Sequence, residues 1–167
     1  MERCDILIAG AGLAGLVAAT ALARDNLSVT VIDPGPKPGP KLGPEPGTEA
    51  ERGTHDPRST AFLRPAQALL NDVGVWAALA PSATPLAQLR IIDTVSAPDG
   101  GPLHPIETRT FLPEADGPFG WNLPNGATRA TLARRLAATP NVTLRFGAKL
   151  TGILARDNHA RVSLDDG

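Results

Sequence analysis

Residues 5–9, "DILIA", carry their apolar side chains consecutively rather than alternately. That is the pattern of a short strand buried on both faces. From Leu13 to about Arg24, Leu13, Leu16, Val17 and Leu22 recur among alanines, which predicts a helix whose small residues let it approach a sheet closely. Asp25 and Asn26 supply the turn chemistry that ends it. Residues 28–33, "SVTVID", are β-branched and finish in an acid, a second strand. Strand, helix and strand fit within residues 5–33, about the length of one right-handed βαβ unit.

The pattern then breaks. Residues 34–57 are dense in proline and glycine and hold neither a helix nor a central strand, so they read as an exposed loop. Residues 58–81, "RSTAFLRPAQALLNDVGVWAALAP", return to helical periodicity, with Ser59 or Thr60 as the cap. Gly74 divides a longer helix from a short one carrying Trp76 and Leu79. Residues 86–94, "LAQLRIIDT", read as a strand, and 103–112 and 119–124 as weaker strands interrupted by turns. Residues 126–139, "GATRATLARRLAAT", form a helix with Leu132 and Leu136 on one face and Arg129, Arg134 and Arg135 largely solvated. "NVTLRFG", "KLTGILARD" and "ARVSLDDG" are three further strands, the last pair joined at "DNH". An alternating strand followed by the turn signal Asp165-Asp166-Gly167 leaves an edge unpaired. It predicts that these residues are the front part of a longer chain.

Composition narrows the function. A chain of 167 residues suffices for a real core. A formal net charge of −1 gives no broad field for nucleic acid or an anionic membrane. Aromatic content of 4% with no tyrosine argues against a stacking platform for single strands. The single cysteine, Cys4, excludes an intrachain disulfide framework and fits a reducing cytosol. The start, "MERCDILIAG", lacks the apolar run and cleavage site of a signal peptide. No apolar stretch is long enough to span a bilayer. His55, His104 and His159 are scattered and there is neither HExxH nor paired CxxC, so no metal site is expected.

The chemistry-bearing motif is the G-x-G-x-x-G run of Gly10, Ala11, Gly12, Leu13, Ala14 and Gly15. In such a run the first glycine turns the strand sharply into the helix. The second clears room for a pyrophosphate to touch the backbone, and the third lets helix and strand pack closely. The helix N-terminus then offers free N–H groups and a positive dipole end to phosphates. Asp33 ends the next strand 18 residues beyond Gly15, close to the distance at which an acid accepts hydrogen bonds from a ribose diol. The strand before, the helix after, the second strand and the acid agree on dinucleotide binding over a bare structural turn. They do not separate NAD from FAD. An acid at Asp33 with no arginine directly after it argues against a 2′-phosphate.

The rest of the chain resembles the class A flavoprotein monooxygenases. Within them it is most similar to the ubiquinone-biosynthesis hydroxylases of polyprenylated phenols, and more distantly to para-hydroxybenzoate hydroxylase. Residues 5–33 resemble the opening FAD fingerprint. Residues 56–93, from "DPRS" through "GVW" to a strand ending in Asp, resemble the family's D-x-R segment, which is the more specific motif. Residues 119–136 resemble the segment where the chain returns to the flavin domain. Residues 141–167 resemble the strands before the second flavin motif. The later Asp-Gly and Gly-Asp motifs are absent, and Asp166-Gly167 is not the former.

The resemblance implies an α/β chain with a Rossmann-like FAD-binding βαβ fold of the para-hydroxybenzoate hydroxylase type, incomplete, with the start of a substrate-side β-sheet. It implies an FAD-binding part at residues 1–84, the substrate-side sheet at 85–118, and a return to the FAD domain at 119–167. Gly10, Gly12, Gly15 and Asp33 would hold the ADP part of FAD, Ala11, Leu13 and Ala14 completing the loop. Arg58 matches the family arginine near the cofactor, and Arg129 is a looser match. Guanidinium donors suit phosphate oxygens and a flavin's polar edge. Arg58 paired with Asp56, and Arg129 on a solvated helix face, are the structural alternatives. The implied reaction is hydroxylation of an electron-rich aromatic ring, with NAD(P)H as reductant of FAD and O2 as oxygen source. No catalytic base is named. The implied partners are a small aromatic substrate, no nucleic acid, and peripheral contact with the inner membrane or a ubiquinone-biosynthesis complex, in an otherwise cytoplasmic protein. A nicotinamide-dependent dehydrogenase, and an inactive nucleotide-binding fragment, remain as the competing readings.

Overall fold

The computed structural model describes residues 2–38, 56–95, 101, 103–112 and 117–165. Residues 39–55 of the Pro/Gly-rich loop, with His55, lie outside the described residues, as do Asp166 and Gly167. The first half of the chain contains β1 (Ile6–Ala9), α1 (Leu13–Leu22), β2 (Val29–Asp33), β3 (Ser59–Leu63), α2 (Arg64–Asp72), α3 (Trp76–Leu79) and β4 (Thr84–Leu86). Then follow β5 (Leu89–Val95), β6 (His104–Phe111), β7 (Gly120–Pro124), α4 (Asn125–Ala137), β8 (Val142–Phe146), β9 (Leu150–Ala155) and β10 (Ala160–Leu164).

The first three elements are the expected βαβ unit. β1 and β2 run parallel, with Ile6 opposite Val29 and Ala9 opposite Ile32. α1 closes through a 3-10 turn, Ala23–Asp25, and Asn26 takes a left-handed φ of 58°, a conformation its short polar side chain tolerates. β8 joins the free edge of β2 in parallel, giving the order β1-β2-β8. Asn141 ties this junction together: its Nδ2 donates to the carbonyls of Ala23 at 2.9 Å and Leu27 at 2.6 Å. Central β2 is the buried strand, with Val29, Val31 and Ile32 all within 2% exposure. The strand at residues 5–9, expected to be covered on both faces, is only half-buried at Ile6, Leu7 and Ile8 and exposed at Ala9. It forms one edge of the described sheet, so its continuous apolar run marks sheet membership rather than full burial.

α4 lies against α1 and β8, and its Thr128, Leu132, Ala133 and Leu136 are buried. The second sheet, order β3-β7-β4, is antiparallel and corrects the helix expected from residue 58. Ser59 to Leu63 pair with Pro124 to Gly120, and Phe62 turns into the core. Neither Ser59 nor Thr60 caps a helix. α2 begins at Arg64 with Pro65 in its first turn, where the missing N–H has no partner to lose. Gly74 does break the helical stretch, with φ of 72°.

The strand expected at 86–94 is two strands. Leu86 stays with β7, while Leu89–Val95 pairs antiparallel with His104–Phe111. This hairpin leaves Leu89, Ile91, Ile92, Val95, Ile106 and Phe111 between 45% and 66% exposed. β9 and β10 form a second antiparallel hairpin. Among the described residues no helix is long and apolar enough to cross a membrane.

Burial therefore divides the described residues into a packed α/β body and two open hairpins. Leu132→Ala, at a site of 0% exposure, should cost about 2–5 kcal/mol in urea unfolding. Ile106→Thr, at 66% exposure, should stay within about 0.5 kcal/mol.

Candidate functional site

The glycine run forms the crossing from β1 to α1, and each glycine meets a different constraint. Gly10 has φ of 111°, a region that side-chain-bearing residues rarely enter. Its N–H donates to the Ile32 carbonyl at 2.7 Å, fixing the turn to the end of β2. A Cβ at Gly15 would collide with the Gly10 carbonyl oxygen, with Ile8 also in contact. Helix and strand can approach this closely only without it. Gly12 is the N-cap, and a Cβ there would meet nothing within 4 Å. Its surface faces open space.

The first turn of α1 has no side-chain cap and no acid. The first intrahelical bond runs from the Leu16 N–H to the Gly12 carbonyl at 3.0 Å. The N–H groups of Leu13, Ala14 and Gly15 are thus the helix's orphan donors, at its positive dipole end. Beside an open Gly12, that arrangement fits a diphosphate.

Asp33, at the end of β2, comes directly to this loop. Its Oδ2 accepts from the Ala11 N–H at 2.7 Å and its Oδ1 from the Gly35 N–H at 2.7 Å. Arg129, on α4, reaches the same place. Its Nε donates to the Ala11 carbonyl at 2.7 Å, and its Nη2 lies 3.5 Å from Asp33 Oδ1. The two side chains are 31% (Arg129) and 15% (Asp33) exposed. The sequence reading of Arg129 as a largely solvated side chain is therefore corrected. Arg134 and Arg135 are the exposed arginines of this helix, whereas Arg129 lies on the side that faces the loop.

Arg58 is 79% exposed and paired with Asp56. Nε donates to Oδ1 at 2.8 Å and Nη2 to Oδ2 at 2.9 Å, a two-pronged fork, and the Arg58 N–H adds a bond to Oδ1 at 3.1 Å. The side-chain hydrogen bond from Arg58 holds the Asp56 carboxyl well below the usual carboxylate range, with the Arg58 N–H next. The same bond raises the Arg58 guanidinium further. The fork uses the Nε–Nη2 edge of the guanidinium. Asn125, which the sequence did not single out, links this pair to the second sheet. It donates to Asp56 Oδ2 at 3.4 Å and accepts from Thr60 Oγ1 at 2.7 Å. Its place at the start of α4, the helix that carries Arg129, is visible only in the fold.

A separate shallow cleft of about 200 Å³ lies among Thr20, Ala23, Arg24, Val73, Arg135 and Leu136. It is at the C-terminal ends of α1 and α4, roughly 15 Å along α1 from the glycine loop. Arginines there suit the negative ends of the helices.

Residues 8–72 match the family model of the NAD(P)-binding Rossmann-like domain. The ubiquinone hydroxylase UbiL of Rhodospirillum rubrum is 31% identical over 163 residues, which is 98% of this chain and 34% of that protein. The chain thus spans about a third of the length of the curated relative it matches. Among solved structures, the flavin-dependent monooxygenase PieE, in complex with FAD and substrate, superposes with a TM-score of 0.69 at 20% identity, over 99% of this chain and 27% of that one. p-Nitrophenol 4-monooxygenase PnpA from Pseudomonas putida DLL-E4 gives 0.65 at 18% identity, over 95% and 35%. Pseudomonas aeruginosa PqsL in complex with 2-aminobenzoylacetate gives 0.64 at 18% identity, over 99% and 40%. The chain has a Rossmann-like fold shared with part of these flavin-dependent monooxygenase structures.

Gly15→Ala should lower stability by about 1–3 kcal/mol. Gly12→Ala, with open space around it and an ordinary φ of −73°, should cost less than about 1 kcal/mol in the same denaturant titration. Because the folded Asp56 titrates below its ordinary 3.8, its pair with Arg58 is fully present above that pH. The pair is lost only as pH falls through the lowered value. The Asp56 carboxyl carbon resonance should show an ionised group well below pH 3.8, and Arg58→Ala should return the midpoint towards 3.8.

Proposed function

We propose that this chain is the nucleotide-holding N-terminal part of an FAD-dependent monooxygenase that hydroxylates a phenolic ring of ubiquinone-precursor type, using NAD(P)H and O2. The observation that carries the reading is the convergence of an uncapped helix start, an open Gly12 and the Asp33 carboxylate on one loop. The 31% identity to a ubiquinone hydroxylase supports the substrate class, and the FAD in the PieE complex the cofactor.

In this reading Gly10, Ala11, Gly12, Leu13, Ala14 and Gly15 form the cradle. The N–H groups of the first turn of α1 hold the pyrophosphate by charge-assisted bonds. Asp33 accepts from the ribose diol. A carboxylate offers about four lone-pair positions, so with Ala11 and Gly35 bonded and Arg129 Nη2 beside Oδ1, Oδ2 keeps acceptor capacity for a sugar hydroxyl. Arg58, held by one edge on Asp56, presents Nη1 to a phosphate or to the polar edge of a flavin. Arg129 closes the opposite side of the loop. Bound here, FAD supplies the redox chemistry with O2, and this chain's residues bind it, orient it and keep water from it.

The division into an FAD-binding part at 1–84 and 119–167 and a substrate-side sheet at 85–118 belongs to the same proposal. The exposed apolar hairpin of β5 and β6 fits the beginning of such a sheet. We place the protein in the cytoplasm, reaching its aromatic substrate at a membrane surface.

Calorimetry of the chain with FAD, and NAD(P)H oxidation by the whole protein with and without a phenol, test the reading. FAD should bind, and a phenol should stimulate oxidation. Asp33→Ala should weaken FAD binding about tenfold or more, the worth of hydrogen bonds to a charged acceptor. Binding of NADH with no uptake of FAD would instead favour a nicotinamide-dependent oxidoreductase.

A further inference from the structure

Ala11 stands between two glycines at the centre of the loop and is 1% exposed. Glycine neighbours do little to fix a peptide plane, so the local chain alone leaves Ala11 underdetermined. Its two polar groups are instead held from a distance. The N–H donates to Asp33 Oδ2 at 2.7 Å, and the carbonyl accepts from Arg129 Nε at 2.7 Å. Arg129 Nη2, 3.5 Å from Asp33 Oδ1, closes the ring. The guanidinium comes from 118 residues further along the chain, on a helix anchored by buried Thr128, Leu132, Ala133 and Leu136. That anchor gives Arg129 a rigid base, and its planar fork offers two donors in fixed directions.

We infer that Arg129 is a positioning residue for the loop: it sets the Ala11 peptide and the Asp33 carboxylate before any nucleotide arrives. Through them it aims the orphan N–H groups of α1 at the diphosphate. The inference deepens the nucleotide-binding reading above and rests on it. It assigns Arg129 an effect on the ADP half common to every adenine dinucleotide, rather than a contact with the flavin ring. A lysine keeps the charge but supplies a single point donor, so it does not replace the fork.

The test compares wild type, Arg129→Ala, Arg129→Lys and, on the exposed face of the same helix, Arg134→Ala. Two readouts are taken: the Ala11 carbonyl carbon resonance of the ligand-free chain, and the affinities for ADP and FAD by calorimetry. Arg129→Ala should displace the Ala11 resonance and weaken ADP and FAD by the same factor, about tenfold. Arg129→Lys should leave most of both losses in place, and Arg134→Ala should change neither. Should Arg129→Ala not fold, Arg129→Gln carries the same comparison. An unmoved Ala11 resonance overturns the inference. So does a loss seen with FAD and absent with ADP, which would put Arg129 on the flavin half directly. If wild type binds neither ADP nor FAD, the nucleotide reading fails, and the Ala11 resonance alone decides whether Arg129 positions the loop.

Discussion

Helix α1 starts where it does because no side chain stands between Gly15 and the Gly10 carbonyl. That close approach sets the angle at which the helix leaves the sheet. The same angle carries the uncapped first turn to the end of β2, where Asp33 lies. A larger residue at position 15 would lift the helix off the strand and separate the N–H groups from the carboxylate. The geometry of the loop is thus a consequence of backbone packing, and its polar chemistry is mostly main chain.

Ionic pairing completes what packing begins. Two arginines each meet a carboxylate, Arg129 with Asp33 at the glycine loop and Arg58 with Asp56 near the start of α4. The first pair is partly buried and bonded to the loop's own peptide, so it acts on geometry. The second is held at the surface by Arg58's fork, with Asn125 and Thr60 behind it. An exposed pair of this kind adds little to stability. What it does fix is the orientation of the Arg58 guanidinium on Asp56. The apolar β5–β6 hairpin marks a second region, with its own exposed apolar surface.

Much of the central sheet was legible because its signals are local. The β-branched run of β2, the alanine-rich helix and the glycine spacing all lie within one βαβ unit. Ser59–Leu63 was not legible as a strand. Five residues with helix-compatible Ala, Phe and Leu carry no clear period, and their pairing partner, Gly120–Pro124, lies about sixty positions away. The long run at 86–94 concealed a break, since Leu86 and Leu89 belong to different sheets and nothing between them is a strong turn residue. Asp33 could be read from its spacing, but Arg129's place beside it could not. Helical periodicity tells which side of α4 is buried, not that α4 packs on α1 with this arginine over the loop. Asn125 carried no motif at all.

The most direct test of the account is the structure of this chain with ADP bound. The account predicts the diphosphate against the N–H groups of Leu13 and Ala14, over Gly12, with the ribose hydroxyls on Asp33. ADP seated elsewhere, for example in the cleft near Arg24 and Arg135, with the glycine loop packed closed against protein, would contradict it.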